Sequence, residues 1–221
     1  MTIRVLILAA GEGSRWGNYR DTQKHKLVIE GEVLIERTVR QFLGYSSDVV
    51  VVGSDKSYEV SGALCYIPPY FRRWEDMAKF WSTKDIWSKD RTVLVFGDVY
   101  FTDEAVETIM KDEKELTFFL RSEGSKLTGK PWREIFGIAF DGSASEMLKD
   151  KISKIIESGT AYRTGGWHLY KKLKNEYKET FSVEIDDWTE DFDFPIDIDR
   201  WEENRAFSAK NKKTSRQKTR F

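Results

Sequence analysis

The sequence predicts a three-layer α/β/α sandwich built around a mostly parallel central sheet. Continuous apolar runs of strand length recur along the chain, first at residues 3–9 and again at 48–53. Such runs are typical of strands buried on both faces of a parallel sheet. Between them lie segments whose apolar residues recur at helical spacing. Strands that alternate with helices indicate the α/β class.

The remaining elements follow from the same two patterns. Further strands are predicted at residues 63–67, 92–96, 116–120, 135–140 and 181–185. Helices are predicted at residues 33–43, 74–87, 103–110, 143–156, 167–177 and 197–205. We expect residues 1–206 to form one domain. Residues 207–221 are expected to form a disordered tail, because from Lys210 onward they carry six basic residues and no acidic one.

Composition narrows the class of partner. The 221 residues carry a net charge of −1, so nothing in the overall charge favours nucleic acid, and the basic tail lacks interleaved aromatic residues. Cys65 is the single cysteine, which excludes an intramolecular disulfide and fits a cytoplasmic setting. No stretch approaches the roughly 18 apolar residues of a membrane span, so no membrane partner is expected.

A glycine-rich segment, LAAGEGSR at residues 8–15, directly follows the first predicted strand. Ligands bind at the carboxyl ends of strands in open α/β sheets, and small residues there let backbone amides approach phosphate oxygens. Arg15 adds a planar cation suited to phosphate, and Lys26 follows eleven residues later. The P-loop pattern is absent, and the next predicted strand begins too late for a dinucleotide fingerprint. The segment therefore predicts a phosphate-binding loop of another kind.

Two acidic segments are candidates for a metal site. Asp98 follows the strand at 92–96 and would point into the crevice at the carboxyl edge of the sheet. Carboxylate oxygens suit a Mg²⁺ ion that bridges phosphates. The second segment, DFDFPIDIDRW at residues 191–201, would be a solvated turn if it stood alone.

Together these segments resemble the nucleotidyltransferases that make nucleotide sugars, CDP-alcohols and the nucleotide form of molybdopterin. The family pattern reads LAAGxGxR, a spacer, (P)KxL, and a strand leading to GxxLIxR. The matching residues are Gly11, Gly13, Arg15, Lys26, Leu27, Gly31, Leu34, Ile35 and Arg37. The segments around Asp98 and at 191–201 are similar to the two later family motifs. His25 departs from the pattern, since the family usually has proline there. The resemblance extends from residue 3 to about 201 and implies the family's Rossmann-like fold.

The resemblance implies transfer of a nucleoside monophosphate from a nucleoside triphosphate (NTP) to a small phosphorylated acceptor, with Mg²⁺ as cofactor and release of pyrophosphate. Arg15 and Lys26 would be catalytic, and Asp98 and Asp193 would bind the metal. The nucleotide would contact Leu8, Ala9, Ala10, Gly11, Gly13, Ser14, Arg15 and Lys26. Further candidates for contact with the substrates are Lys130, Gly137 and Asp191.

The acceptor is expected to be a sugar 1-phosphate or a phosphorylated amino alcohol, and the short chain favours CTP or UTP. Trp132 and Trp167 are candidates to line the substrate pocket, whereas His168 is expected to be a packing or surface residue.

Two other interpretations stay open. A glycosyltransferase of a related fold would carry a DxD pair at the metal strand, but Val99 and Tyr100 follow Asp98 here. A non-catalytic nucleotide-binding module would tolerate loss of Lys26 or of the acidic residues, yet all of them are present.

Overall fold

A computed structural model of the chain describes residues 2–11, 15–17, 19–69, 76–159, 165–178 and 180–218. The strands are β1 (Ile3–Leu8), β2 (Val28–Ile29), β3 (Glu32–Val33), β4 (Asp48–Val52), β5 (Leu64–Tyr66), β6 (Arg91–Phe96), β7 (Val99–Tyr100), β8 (Leu116–Arg121), β9 (Glu134–Asp141), β10 (Thr180–Glu184) and β11 (Glu190–Asp191). The helices are α1 (Leu34–Leu43), α2 (Asp76–Trp81), α3 (Asp103–Met110), α4 (Ser145–Glu157), α5 (Gly165–Glu176) and α6 (Pro195–Lys218).

Seven strands form the central sheet in the order β10-β8-β9-β6-β1-β4-β5. All neighbouring strands are parallel except β9, which runs antiparallel to both β6 and β8. Alternate residues of β1 face the two helical layers, because successive side chains of a strand point to opposite faces. Val5 and Ile7 pack in one apolar cluster with α1 and α3, while Leu6 and Leu8 pack in the other with α2, α4 and α5. The predicted α/β/α sandwich is confirmed.

A third apolar cluster lies at the carboxyl edge of the parallel strands. Its buried members are Trp16, Leu27, Ile29, Leu34, Tyr100, Phe192, Ile198 and Trp201. They come from the segment after the glycine-rich loop, from the two small ribbons β2–β3 and β7–β11, and from α6. This cluster fixes segments that are far apart in sequence beside the ends of β1 and β6.

Helix α6 continues past the residue at which the sequence predicts a disordered tail. The helix runs to Lys218 and so includes residues 207–218 of the predicted tail. Residues 206–218 contain no glycine or proline and are rich in good helix formers, so the helix of the body can extend into them. Among the described residues, no helix has both the length and the apolar character that crossing a membrane requires.

Candidate functional site

The central strands β1 and β6 end side by side and form the floor of the site. The Gly97 N–H donates to the Leu8 carbonyl at 2.9 Å. A Cβ at Gly97 would lie 3.1 Å from that of Ala9, so a larger residue would be tightly packed at this position. Leu8, Ala9 and Ala10 are buried, and Gly11 follows them at the carboxyl edge of the sheet. Gly13 and Ser14, also predicted to contact nucleotide, lie outside the described residues.

Strand direction brings four carboxylates to this edge. Because β9 is antiparallel to β6, its first residue, Glu134, lies at the end of the sheet where β6 finishes. Asp98 follows β6 directly. In the small ribbon, Asp191 pairs with Val99, and the Phe192 N–H donates to the Asp98 carbonyl at 3.3 Å. Asp193 comes next, so residues separated by almost a hundred positions meet at one place.

Three of these four carboxylates are close enough to share a cation. Glu134, Asp191 and Asp193 each offer an oxygen within 4.8 Å of the others. The Asp191 Oδ1 atom is buried and has no hydrogen-bond partner among the described residues. Burial, reinforced by Asp98 and Asp193, raises the pKa of Asp191 well above its usual range. Burial also raises the pKa of Glu134 to about 7. Such crowding of oxygen ligands and negative charge fits a hard divalent cation.

Two cations pair with the predicted metal-binding residues. The Lys24 ammonium contacts the Asp98 carboxylate, and these side chains are only 11% and 17% exposed. Arg15 Nη2 lies 3.2 Å from Asp193 Oδ1. Burial opposes the charge on Lys24, but Asp98 and the other carboxylates override it and raise the pKa of Lys24. Burial would likewise raise the pKa of Asp98, yet Lys24 and neighbouring cations hold it well below its usual range.

The lysine that contacts the carboxylates is Lys24, two residues before the predicted Lys26. Lys26 does not reach the carboxylates, because its Nζ lies over the Tyr58 ring, 5.3 Å from the centroid. Lys24, Lys26 and the buried His25 between them form one 3₁₀ turn. With three residues per turn, residues two apart point in different directions, so the turn directs Lys24 and not Lys26 toward Asp98. Burial lowers the pKa of His25 to about 4, so no second positive charge is added inside the turn.

Lys130 and Gly137, both candidates for contact with a substrate, are buried within the protein. The Lys130 side chain is 2% exposed, and its Nζ lies 3.1 Å from Glu134 Oε1 and 3.5 Å from Glu190 Oε1. Lys130 therefore contacts the acidic cluster from the interior of the protein. Gly137 lies in the middle of β9, where a Cβ would come within 2.7 Å of the Leu94 carbonyl oxygen. That glycine is required for close strand packing.

The charged groups surround a cleft of about 420 Å³. Its lining residues are Arg15, Lys24, Lys79, Phe96, Asp98, Glu134, Ile135, Gly166, Trp167, His168, Lys171, Asp191 and Asp193. The candidate Trp167 lines this cleft, whereas Trp132 contacts Phe194, with ring centroids 6.5 Å apart. A second cleft of about 540 Å³ opens beside Arg121, but it contains none of the predicted site residues.

Besides Lys24, sequence reasoning missed four charged or polar residues of the lining. Glu134 was missed because the direction of β9 was not foreseen. Lys79 and Lys171 occupy polar positions of helices and look like ordinary surface lysines, although Lys79 Nζ is 3.7 Å from a Cβ built on Gly11. His168, expected to be a packing or surface residue, also lines the cleft.

Comparisons with known proteins agree with the family resemblance and with the fold. Residues 5–74 match the family model of the MobA-like NTP transferase domain, which confirms the resemblance indicated by the motifs. No curated protein matches the chain by sequence.

Among solved structures, the CTP:phosphocholine cytidylyltransferase from Streptococcus pneumoniae is 16% identical with a TM-score of 0.65, over 92% of this chain and 99% of that one. A Bacillus anthracis structure described as a glucose-1-phosphate thymidylyltransferase is 14% identical with a TM-score of 0.65, over 90% of this chain and 94% of that one. The inositol-1-phosphate CTP transferase from T. maritima is 13% identical with a TM-score of 0.60, over 89% of this chain and 91% of that one. These TM-scores, over most of each chain, show a shared fold.

Proposed function

We propose that this chain, with its match to the MobA-like NTP transferase domain over residues 5–74, is a Mg²⁺-dependent nucleotidyltransferase. It would transfer a nucleoside monophosphate from an NTP to a small phosphorylated acceptor and release pyrophosphate. One observation carries the proposal: Asp98 with Lys24, and Asp193 with Arg15, meet in one cleft at the carboxyl edge of the sheet. Two acids for a metal and two cations for phosphates are what a metal–triphosphate complex requires.

The proposed metal site consists of Asp98 and Asp193, with Asp191 and Glu134 beside them. Bound Mg²⁺ would supply positive charge to the phosphate oxygens where the bond breaks. The buried Lys130 would keep the acidic cluster in place by binding Glu134 and the Asp191 carbonyl, the latter at 2.5 Å.

The cations of the chain align the phosphates and stabilise the leaving group. An oxygen of the acceptor phosphate forms a bond to the α-phosphorus, and the bond from that phosphorus to the bridging β-oxygen breaks. The electron pair leaves with pyrophosphate, whose charge Lys24 and Arg15 would stabilise. The acceptor phosphate is already anionic at neutral pH, so no general base is needed and catalysis consists of positioning and charge stabilisation.

The backbone at residues 9–11 is proposed to approach the nucleoside, because it lies at the end of β1 beside Asp98. Two of the structures with this fold are named for CTP. That supports CTP as the first nucleotide to test, with UTP next.

A pyrophosphate-release screen tests the proposed function. The full chain is incubated with Mg²⁺, each of the four ribonucleoside triphosphates and a panel of sugar phosphates and phosphorylated alcohols. We expect release with at least one pair, lost by about 100-fold or more in Asp98→Asn. The exposed Asp85, paired with Lys84, provides the matched control Asp85→Asn, which should keep wild-type rates. Release that survives Asp98→Asn would contradict the proposal. A nucleoside diphosphate released from an added nucleotide sugar, with no pyrophosphate released from any NTP, would favour a glycosyltransferase instead.

A further inference from the structure

One wall of the cleft is formed by the beginning of α5. Gly166, Trp167, His168 and Lys171 all line the cavity. A Cβ at Gly166 would lie 3.2 Å from the Ile135 side chain, so the helix is seated directly on the start of β9. This close seating fixes the α5 side chains beside Glu134 and the other carboxylates.

The α5 wall supplies positive and hydrogen-bonding groups that the nucleotide site does not use. Lys171 lies one turn after Trp167 and therefore shares its helix face. An acceptor phosphate must approach the α-phosphorus next to four carboxylates, which repel it. It therefore needs cationic or hydrogen-bonding donors on its own side of the cleft, and among the described lining residues α5 offers Lys171 and His168.

The aromatic rings at the cleft are poorly arranged for a cationic ligand. Quaternary ammonium groups bind over the faces of several aromatic rings. The Trp167 ring already has the Arg133 guanidinium 5.5 Å from its centroid. Phe194, next to Asp193, has the Arg15 guanidinium at 5.4 Å. Phe96 packs edge-on against Phe80.

We infer that Lys171 and His168 bind the phosphate of the acceptor, and that the acceptor is a phosphorylated polyhydroxy compound and not one with a quaternary ammonium group. The inference rests on the proposed function. Hydroxyl groups both donate and accept hydrogen bonds, so they suit a wall where ammonium and imidazole groups stand beside carboxylates. A quaternary ammonium group can neither donate nor accept a hydrogen bond.

The acceptor classes are compared in one assay on the full chain with Mg²⁺ and the productive NTP. Sugar 1-phosphates and polyol phosphates form one series, and phosphocholine and phosphoethanolamine form the other. We expect kcat/KM for the best hydroxylated acceptor to exceed that for phosphocholine by about 100-fold or more. A phosphocholine rate equal to or above that of every hydroxylated acceptor would overturn the inference and leave the proposed function standing.

Substitution of Lys171 tests the assigned residue. Lys171→Met should raise KM for the acceptor by about 10-fold or more and change KM for the NTP by less than about 2-fold, and Lys171→Arg should restore most of the loss. Lys174 lies on the same helix with its Nζ over the Tyr170 ring, so Lys174→Met is the matched control and should change neither constant. An unchanged acceptor KM in Lys171→Met would overturn the assignment.

Calorimetric titration with a non-hydrolysable NTP shows whether a negative result contradicts the inference alone or the proposed function as well. If the nucleotide binds but neither series releases pyrophosphate, the inference is overturned while the nucleotide site stands. If the nucleotide does not bind, the proposed function fails with it.

Discussion

The placement of Lys24 at Asp98 makes a sharp prediction about two lysines that are two residues apart. Lys24→Met removes a cation that is 11% exposed and contacts a carboxylate that is 17% exposed, so solvent screens the pair only weakly. Removal of one preorganised group that stabilises developing charge lowers turnover by about 10²–10³-fold, or roughly 3–4 kcal/mol. We expect a loss of that size in kcat/KM for Lys24→Met.

Lys26→Met is the matched control in the same turn. Lys26 interacts with the Tyr58 ring, and such a contact at a partly exposed site contributes about 0.5–1 kcal/mol, a factor of roughly 2–5. We therefore expect Lys26→Met to keep most of the activity, so that the two variants differ by at least about 20-fold.

The assay is initial-rate pyrophosphate release at several NTP concentrations, with circular dichroism and urea unfolding as controls for folding. Lys24→Met leaves Asp98 without its partner and should be destabilised by about 3–5 kcal/mol when no metal is present. Lys24→Arg keeps the charge and provides a folded comparison. An inactive Lys26→Met beside an active Lys24→Met would refute the placement.

Three further predictions concern neighbouring groups. Because burial lowers the pKa of His25 to about 4 while an unfolded histidine titrates near about 6.5, the unfolded chain binds more protons between these values. The free energy of unfolding, measured with urea in EDTA, should therefore fall by roughly 3 kcal/mol from pH 7 to pH 4 in the wild type and in His168→Gln. It should fall by less in His25→Gln. Equal pH dependence in all three proteins would contradict this. Because the pKa of Glu134 is raised to about 7 and a ligand carboxylate must be ionised, Mn²⁺ affinity followed by electron paramagnetic resonance should rise from pH 6 to pH 8. Glu134→Gln should bind roughly 10-fold more weakly at pH 8, and a pH-independent affinity in the wild type would count against this site. Lys79, beside Gly11 in the cleft, should contact the nucleotide phosphates, so Lys79→Met should weaken NTP binding by about 10-fold while the control Lys84→Met does not; equal affinities would remove Lys79 from the site.

The sequence was sufficient for the features that depend on local pattern. The buried runs at β1 and β6 predict the central strands, and the acids that follow strand ends predict Asp98. The 191–201 segment by itself indicates only a solvated turn. It predicts a metal-binding motif only because of its order relative to the other motifs. The ribbons β2–β3 and β7–β11 were not predicted, because two-residue strands carry no measurable periodicity.

The remaining site features depend on direction and rotation, which one-dimensional patterns do not encode. Glu134 reaches the carboxylates because β9 runs opposite to its neighbours, and its sequence is compatible with either direction. The choice between Lys24 and Lys26 depends on the rotation of a single 3₁₀ turn around His25. Lys130 was a substrate candidate because of the family resemblance. Its contact with Glu190 joins residues too far apart in the sequence for a local pattern to indicate.

The most direct test of the central claim is a crystal structure of the chain with Mg²⁺ and a non-hydrolysable NTP. We predict a metal ion about 2.0–2.1 Å from oxygens of Asp98 and Asp193, with Lys24 and Arg15 within hydrogen-bonding distance of phosphate oxygens. A triphosphate bound elsewhere, or bound in this cleft with Lys24 and Arg15 directed away from it, would contradict the account.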